Sequence, residues 1–505
     1  MTTRREVLRY AGLGMGAAAA SALGLTVTTE AETQAGQASL KPAQTEITDK
    51  SGKRLAAGAE CVWTKAAKKA GPADITVDPT KPMQTILGFG AAFTEAACFT
   101  LSRLSESDRA TLLKTMFGQD QHALSIGRIS IGASDYSIAA YSYDDGAADP
   151  ELKRFSIDHD RDYVLPTLRA ALGVNPDLFF FGSPWSPPAW MKYSNSMLGG
   201  NIRPEHIPTY ARYLQKFVEA YAAAGVNLRA MTPQNEIDAD QGGRMPACPW
   251  PQEDEERLVV ALGPLLEASG TKIWMLDHNY SLWGRVLDQL SNPRFKKWVN
   301  TVAWHGYLGA PEMMRNVKEK FPDVEMHWTE GGDDYKFADY WTSWCKWGAT
   351  FSGILANGPQ SITTWNLALD ERGRPNIGPF DCGGLVQIHS VTKEIKQAGL
   401  YWALAQYARA IRRGAVIVAS QDANGDQPSV SGVLVVPPGG LVSGTGIRYS
   451  AATSRVFHTA AKNPDGSMVL VLTNPGDARE LTVACSGQIT KVTLTADSIT
   501  TLRWS

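Results

Sequence analysis

The sequence predicts an α/β protein in which a (β/α)8 barrel, the TIM-barrel architecture, is joined to an antiparallel β-sandwich. Eight short apolar runs between residues 86 and 365 each end in polar side chains, and stretches of helical length separate most of them. After residue 413 the pattern changes to short alternating runs broken by Asn-Pro, Asp-Gly and Pro-Gly turns. A doubly wound sheet would need a Gly-rich phosphate turn after its first strand, whereas Gly88-Phe89-Gly90 leads into Ala-Ala-Phe-Thr-Glu.

The first 30 residues are predicted to be a twin-arginine export signal and not part of the fold. Arg4 and Arg5 precede a weakly apolar run over residues 11–25, which is too short and too rich in glycine for a comfortable transmembrane helix. The alternative is a frayed, Ala-rich N-terminal helix. Residues 31–44 are expected to form a polar spacer. The prediction is therefore a protein exported by the twin-arginine route to the periplasm or the cell exterior.

The predicted barrel occupies residues 81–413. Its strand candidates are residues 86–93, 125–131, 178–184, 228–233, 273–276, 302–305, 324–329 and 362–365. Helix candidates include residues 207–224, 253–268 and 401–413.

The predicted sandwich occupies residues 414–505. Its strand candidates are residues 415–419, 432–436, 468–473, 481–484 and 489–495. Residues 45–80 also have strand character and precede the barrel, so we expect them to join the sandwich, which would make that domain discontinuous.

Composition excludes several classes of partner. The chain has 44% hydrophobic and 20% charged residues and a net charge of −2, which is typical of a soluble globular protein and gives no reason to expect nucleic acid or stable membrane insertion. Its six cysteines are widely spread with no Cys-x-x-Cys pair, so neither a disulfide framework nor a zinc-type spacing is predicted; one bridge remains open.

Two glutamates at the ends of apolar runs are the strongest functional signal. Glu236 and Glu330 each end such a run, and about three βα units of roughly 30 residues separate them. In a barrel this spacing places them across the mouth from each other. Most glycoside hydrolases cleave the glycosidic bond with two carboxyl groups that face one pocket.

The other predicted strand ends form a polar and aromatic rim. Active sites of such barrels lie at the carboxyl ends of the strands. Sugars are bound by hydrogen-bonding side chains and by aromatic rings, so the rim predicts a carbohydrate substrate. Its residues are Asp135, residues 183–190, Asn235, residues 277–279, residues 304–307, Trp365 and Asn366.

Six motifs, in order, resemble glycoside hydrolase family 30, the glucosylceramidase-like family. They are residues 87–95, 183–190, 234–236, 304–307, 329–330 and 364–370. The resemblance extends from about residue 45 to the end. It implies a barrel joined to a β-sandwich and a retaining mechanism that uses no metal and no cofactor.

The resemblance also implies roles for the two glutamates. Glu236 takes the acid/base position and Glu330 the nucleophile position. In retaining enzymes the two carboxyl groups lie ~5–5.5 Å apart. We therefore expect Glu236 to begin protonated, with its pKa raised by burial and by the negative charge of Glu330.

Further site residues follow from the same resemblance. Asn235 is expected to bind the sugar 2-hydroxyl, and Arg128 to be buried and to pair with one of the carboxylates, unless that ion pair is purely structural. The sugar subsite is expected to be lined by Asp135, Trp185, His305, Tyr307, Trp365 and Asn366.

Two patterns that suggest metal ligands are not taken as metal sites. The segment Asp238-Ala239-Asp240-Gln241-Gly242 resembles the start of a calcium loop but lacks the later carboxylate. Asp277-His278 has no second histidine near it in sequence, so a polar pocket wall is preferred.

The expected substrate is a β-linked glucoside or oligosaccharide. Residues 370–384 depart from the glucosylceramidase pattern, and residues 240–251 are rich in Pro and Cys. Both loops are expected to shape the leaving-group side, so an endo-β-1,6-glucanase, a β-xylosidase or a β-fucosidase remains an alternative. A non-catalytic carbohydrate-binding protein is the alternative from another class. It is disfavoured because both glutamates are present.

Overall fold

The computed structural model describes residues 39–67, 72–428 and 455–505. The predicted export signal, most of the predicted spacer and the strand candidate at residues 432–436 lie outside these ranges. Within them, no helix is both long enough and apolar enough to cross a membrane.

Four strands precede the barrel. They are β1 (Gln44–Asp49), β2 (Ala56–Ala57), β3 (Thr64–Lys65) and β4 (Ile75–Thr85). β1 begins at the last residue of the predicted spacer. β4 runs to Thr85, so residues 81–85, expected in the barrel, belong to a sheet formed mainly by the C-terminal part of the chain.

Nine parallel strands form the barrel. They are β5 (Gly88–Phe93), β6 (Ile126–Ile131), β7 (Phe179–Pro184), β8 (Leu228–Met231), β9 (Lys272–Ile273), β10 (Met275–Asn279), β11 (Thr301–His305), β12 (Glu325–Glu330) and β13 (Ser361–Asn366). Their order is β10-β11-β12-β13-β5-β6-β7-β8-β9. Only Trp274 separates β9 from β10, so these are two pieces of the fifth barrel strand. Because they stand at the two ends of the strand order, the sheet closes into a barrel. The predicted barrel is confirmed.

Helices cover the outside of the barrel. They are α1 (Glu95–Ser102), α2 (Glu106–Phe117), α3 (Val164–Val174), α4 (Ile207–Ala223), α5 (Gln252–Leu266), α6 (Trp283–Ser291), α7 (Pro293–Lys296), α8 (Met314–Lys320), α9 (Trp344–Leu355) and α10 (Gly399–Ala410). α4 shows why they form: Tyr210, Leu214, Phe217 and Tyr221 recur every three or four residues and are all buried.

A small sheet lies between β13 and α10. It contains β14 (Ala368–Leu369), β15 (Val386–Ile388) and β16 (Ile395–Gln397). β14 pairs with β15, so the loop at residues 370–384 begins and ends on two adjacent strands.

The C-terminal strands complete a ten-stranded sheet. They are β17 (Val416–Asp422), β18 (Phe457–Lys462), β19 (Met468–Asn474), β20 (Arg479–Cys485), β21 (Gln488–Leu494) and β22 (Ser498–Trp504). With β1–β4 they follow the order β2-β1-β22-β19-β18-β17-β4-β20-β21-β3. The described pairings are antiparallel except β4 with β20, a departure from the expected antiparallel sandwich. The parallel pairing arises because β4 precedes the barrel in the chain and is not joined to β20 by a hairpin turn.

The barrel interior is layered. Side chains two residues apart on a strand point to the same face. A lower apolar layer is formed by Ile126, Phe181, Ala230, Trp274 and Ala303. On four of these strands the residue two positions later also points inward, and it is polar and buried. These four residues are Arg128, Ser183, Thr232 and His305. The apolar layer therefore supports a buried polar layer at the carboxyl ends of the strands.

Helices α9 and α10 join the barrel to the ten-stranded sheet. The indole of Trp344 on α9 donates to the carbonyl of Asp497 at 3.0 Å. The Gln406 amide on α10 donates to the carbonyl of Glu46 and to the hydroxyl of Thr501, both at 2.9 Å. Because α9 follows β12, the sheet braces the part of the barrel that ends in Glu330.

Candidate active site

A pocket of about 870 Å³ opens at the carboxyl ends of the barrel strands. Both Glu236 and Glu330 line it. The other predicted site residues on its wall are Asp135, Trp185, Asn235, Tyr307 and Trp365. The structure therefore brings together residues that are up to 230 positions apart in the chain, as the strand-end argument predicted.

Glu330 is held between a cation and a phenol. It is the last residue of β12 and is buried. Arg128 forms an ion pair with its Oε2, and the hydroxyl of Tyr307 donates to its Oε1 at 2.7 Å. Each carboxylate oxygen thus has its own donor, and the ion pair requires the anionic form. The result is a fixed carboxylate on the pocket wall.

Arg128 is fully buried beneath the pocket. Besides Glu330, its guanidinium donates to Asp277 at 2.8 Å and to Asn235 at 2.7 Å. Burial disfavours the cation, but the charges of Asp277 and Glu330 raise its pKa above the ordinary value. The expected pairing with one carboxylate is therefore present, and a second carboxylate shares it.

Asp277 is the acceptor at the centre of this polar layer. Its oxygens accept hydrogen bonds from Ser183 (2.8 Å), Thr232 (2.8 Å), Thr329 (2.7 Å), His305 (3.0 Å) and Arg128 (2.8 Å). Burial alone would raise its pKa, but Arg128 and His305 outweigh burial and hold the pKa well below its usual range. Because Nε2 of His305 is bound here, its Nδ1 is the nitrogen that faces the pocket side.

Glu236 occupies a strained backbone position. Its φ is 51°, in the left-handed region, which costs about 1–3 kcal/mol for a non-glycine residue. Its N–H donates to the carbonyl of Asp277 at 3.0 Å, and the N–H of Asn235 donates to the carbonyl of Pro184 at 2.7 Å. These bonds tie the loop after β8 to both neighbouring strands, so the side chain is aimed into the pocket by backbone contacts.

Three side chains surround the Glu236 carboxylate. The amide of Gln241 donates to Oε2 at 2.5 Å. The Nδ1 atoms of His278 and His305 lie 3.7 and 3.5 Å from Oε1. The expected neighbour, the negative charge of Glu330, is therefore not the dominant influence on this group.

The protonation of Glu236 differs from expectation. Burial raises its pKa as predicted, but the neighbouring His278 and His305 side chains outweigh burial, and the pKa is lowered. Burial lowers the pKa of His305, whereas the charge of Glu330 and the bond to Asp277 raise it to about 9. The two pKa values therefore shift in opposite directions, which makes His305 the more basic member of the pair.

The sugar-facing wall combines aromatic rings and a buried carboxyl group. Trp185 and Trp365 are stacked, with centroids 5.2 Å apart and planes at 26°. Burial, then the charges of Glu330 and Glu236, raise the pKa of Asp135 well above its usual range. Its Oδ1 has no hydrogen-bond partner among the described residues, so it is available to a ligand hydroxyl.

Three of the predicted site residues lie behind the side chains that line the pocket. Arg128 and His305 are fully buried and contact the carboxylates from below. Asn366 accepts a hydrogen bond from Thr94 at 2.9 Å and is not on the pocket lining found within the described ranges. A register shift between Thr364 and Asn366 places it against β5, which explains the difference from the expected substrate contact.

The sequence matches two domain profiles. Residues 86–411 match the Glycosyl hydrolase family 30 TIM-barrel domain, and residues 446–502 match the Glycosyl hydrolase family 30 beta sandwich domain. The first match alone covers well over half of the chain. The chain belongs to glycosyl hydrolase family 30.

Relatives of this family 30 glycosidase have two kinds of described activity. The endo-1,6-beta-D-glucanase of Neurospora crassa is 30% identical over 442 residues, covering 82% of this chain and 85% of that protein. The putative glucosylceramidase 4 of Caenorhabditis elegans is 28% identical over 411 residues, covering 76% and 78%. A solved endo-beta1,6-glucanase is 26% identical with a TM-score of 0.77, covering 92% and 99%.

Sequence reasoning missed several residues of the family 30 pocket. Gln241, Met245, Phe380 and Cys382 line it from the two loops that had been expected only to shape the leaving-group side. His278 was assigned to the wall, but its closeness to His305 was not foreseen. All six cysteines are free thiols, so the disulfide that had been left open is absent from these described positions.

Proposed function

We propose that this family 30 hydrolase cleaves β-glucosidic bonds with retention of anomeric configuration. Glu330 is the nucleophile and Glu236 is the acid/base. The observation that supports this division is the difference in their surroundings: Arg128 and Tyr307 each bind one carboxylate oxygen of Glu330, whereas Glu236 lies 3.5 Å from Nδ1 of His305, whose pKa is raised to about 9. Two carboxyl groups with different protonation environments are the requirement for double displacement.

The first step forms a glycosyl-enzyme. A Glu330 oxygen attacks the anomeric carbon, the bond to the leaving oxygen breaks, and Glu236 gives that oxygen a proton. In the second step Glu236 takes a proton from a water molecule, the water oxygen attacks the anomeric carbon, and the bond to Glu330 breaks. The sugar is released with its original configuration.

His305 supplies the proton that Glu236 lacks in the free protein. The 3.5 Å contact makes Glu236 and His305 a pair that together holds one proton. The charge of Glu330 is among the causes that raise the pKa of His305. As Glu330 becomes an ester that charge disappears, so the proton is bound less tightly when the leaving oxygen needs it.

The relatives favour β-1,6-linked glucan as the first substrate to test. Endo-1,6-beta-glucanases and glucosylceramidases both occur among the relatives, and the endo-1,6-beta-D-glucanase of Neurospora crassa is 30% identical to this chain, against 28% for putative glucosylceramidase 4. The stacked indoles of Trp185 and Trp365 suit one face of a glucose ring, and Asp135 suits a ring hydroxyl. A simple β-glucoside is the second candidate.

A substrate panel tests this assignment. The full chain is assayed on β-1,6-, β-1,3- and β-1,4-glucans, glucosylceramide, aryl β-glucoside, aryl β-xyloside and aryl β-fucoside. We expect the β-1,6-glucan to be hydrolysed fastest, with aryl β-glucoside also cleaved. Hydrolysis of the xyloside or the fucoside alone would overturn the glucose assignment.

We also propose that residues 1–30 direct export by the twin-arginine route. A polymeric glucan outside the cell would require it. Replacing Arg4 and Arg5 together with lysine should retain the protein in the cytoplasm, and unchanged export of that variant would contradict the proposal.

A further inference from the structure

Three potential metal ligands converge on one point beside the pocket. Glu236, His278 and His305 each offer one ligand atom, and these atoms lie within 4.8 Å of one another. The Nδ1 atoms of the two histidines are the ones that approach Oε1 of Glu236. The two histidines belong to adjacent strands, with Asn279 of β10 paired to His305 of β11. We propose that this Glu236–His278–His305 cluster binds a divalent transition-metal ion such as Zn²⁺, and that the bound ion inhibits the enzyme.

Two of the three separations are close to those between ligands of one metal ion. A tetrahedral Zn²⁺ with bonds of about 2.0–2.1 Å needs ligand atoms roughly 3.3–3.5 Å apart. The two nitrogen–oxygen distances are 3.5 and 3.7 Å, and all three ligand atoms lie within 4.8 Å of one another, so small side-chain shifts complete the geometry. His305 is fully buried, and its Nδ1 makes no hydrogen bond with any described residue. A buried polar nitrogen is thus aimed at the proposed ion position.

The outer nitrogens are already fixed by carboxylates. Nε2 of His305 is bound to Asp277 at 3.0 Å, and Nε2 of His278 is paired with Asp238. This carboxylate–histidine arrangement orients the ring and increases the basicity of Nδ1, as in metalloproteins generally. Nδ1 of His278 also contacts the Asn279 amide at 3.3 Å, and a bound ion would replace that contact. The cluster therefore has both the ligand set and the outer support of a metal site.

Metal binding would displace the proton proposed for His305, because a coordinating imidazole is neutral, and would stop both steps of the reaction. Glu236 coordinated through Oε1 cannot hold or release the proton that each step requires. The site's inhibitory effect rests on the proposed role of Glu236, whereas metal binding itself does not. No step of the double displacement passes through the metal.

Calorimetric titration with Zn²⁺ tests the binding. The full chain in metal-free buffer should bind one Zn²⁺. His278→Gln should weaken binding by at least about tenfold because it removes a ligand, and Asp238→Asn by about 10–100-fold because it removes outer support. The control is His159→Gln, which breaks a 2.8 Å histidine–glutamate pair with Glu95 that does not line the pocket, and should leave the affinity unchanged.

Either of two calorimetric results would overturn the proposal. One is the absence of Zn²⁺ binding by the wild-type chain; the other is equal affinity in the wild type, the His278→Gln variant and the Asp238→Asn variant.

Activity assays then test inhibition. Zn²⁺ should inhibit hydrolysis with a constant matching its calorimetric Kd, and a chelator should restore the rate. Full activity with Zn²⁺ bound would overturn the inhibitory role. If Zn²⁺ binds through His278 but the chain hydrolyses no glucoside, the binding site stands and the proposed function fails.

Discussion

The Nδ1 atom of His305 lies 3.5 Å from Oε1 of Glu236, while Nε2 of the same ring is bound to Asp277. This contact connects the acid/base candidate to the buried layer that also holds Arg128 and Glu330. The protonation state of one glutamate therefore depends on the charge of the other through His305.

The first prediction concerns the alkaline limb of the pH profile. The Glu236–His305 pair holds its proton at pH values below the pKa of His305, which is about 9, and loses the proton as the pH rises through that value. Measured kcat/KM should therefore fall above about pH 9. In His305→Gln the limb should move to lower pH by more than about one unit, because Glu236 must then hold the proton alone. An unchanged limb would exclude His305 as the proton source.

The nucleophile assignment predicts a loss that does not depend on the leaving group. Glu330→Gln should lower kcat on the order of 10⁴-fold or more with aryl glucosides and glucans alike, since no covalent intermediate can form. Glu325→Gln, at the exposed start of the same strand, is the matched control and should keep its activity. Substantial turnover by the Glu330 variant would refute the assignment.

The acid/base assignment predicts a loss of activity that depends strongly on the leaving group. Glu236→Ala should lower kcat/KM by about 10²–10⁴-fold for glucans, whose leaving oxygen needs a proton, and far less for activated aryl glucosides. Glu253→Ala, on an exposed turn of α5, serves as control. Equal losses for both substrate types would argue against proton donation by Glu236.

The shared cation predicts a large effect on stability. Arg128→Met leaves Asp277 and Glu330 buried without their cation, so the free energy of unfolding should fall by about 3–5 kcal/mol in urea titrations. The exposed Arg257→Met should change it by less than about 1 kcal/mol. A small loss for Arg128→Met would mean that the two carboxylates find other partners.

Much of the barrel was predictable from local pattern. All eight barrel strand candidates fall on observed strands, because each is a short apolar run ended by polar residues. The interruption at Trp274 was not predictable, since nothing in the local pattern marks it. In the ten-stranded sheet, β18 and β22 are not predicted, because small or polar residues such as Thr459, Ala460, Thr500 and Thr501 interrupt their apolar residues and are buried only by tertiary packing.

The site was predictable in its residues but not in its electrostatics. Glu236 and Glu330 lie in one pocket because strand ends meet at one rim. The lowered pKa of Glu236 depends on His278 and His305, which approach it from two other strands. His278 had been dismissed as a metal ligand because no histidine is near it in sequence. Adjacent strands supply that neighbour, and sequence distance does not show it.

The most direct test of the two-glutamate mechanism is covalent trapping. The chain is treated with an activated 2-deoxy-2-fluoro-β-glucoside, which slows both steps, and the digested protein is examined by mass spectrometry. We expect a single fluoroglucosyl ester on Glu330. An ester on Glu236, or turnover of the true substrate to the inverted anomer with no labelled residue, would contradict it.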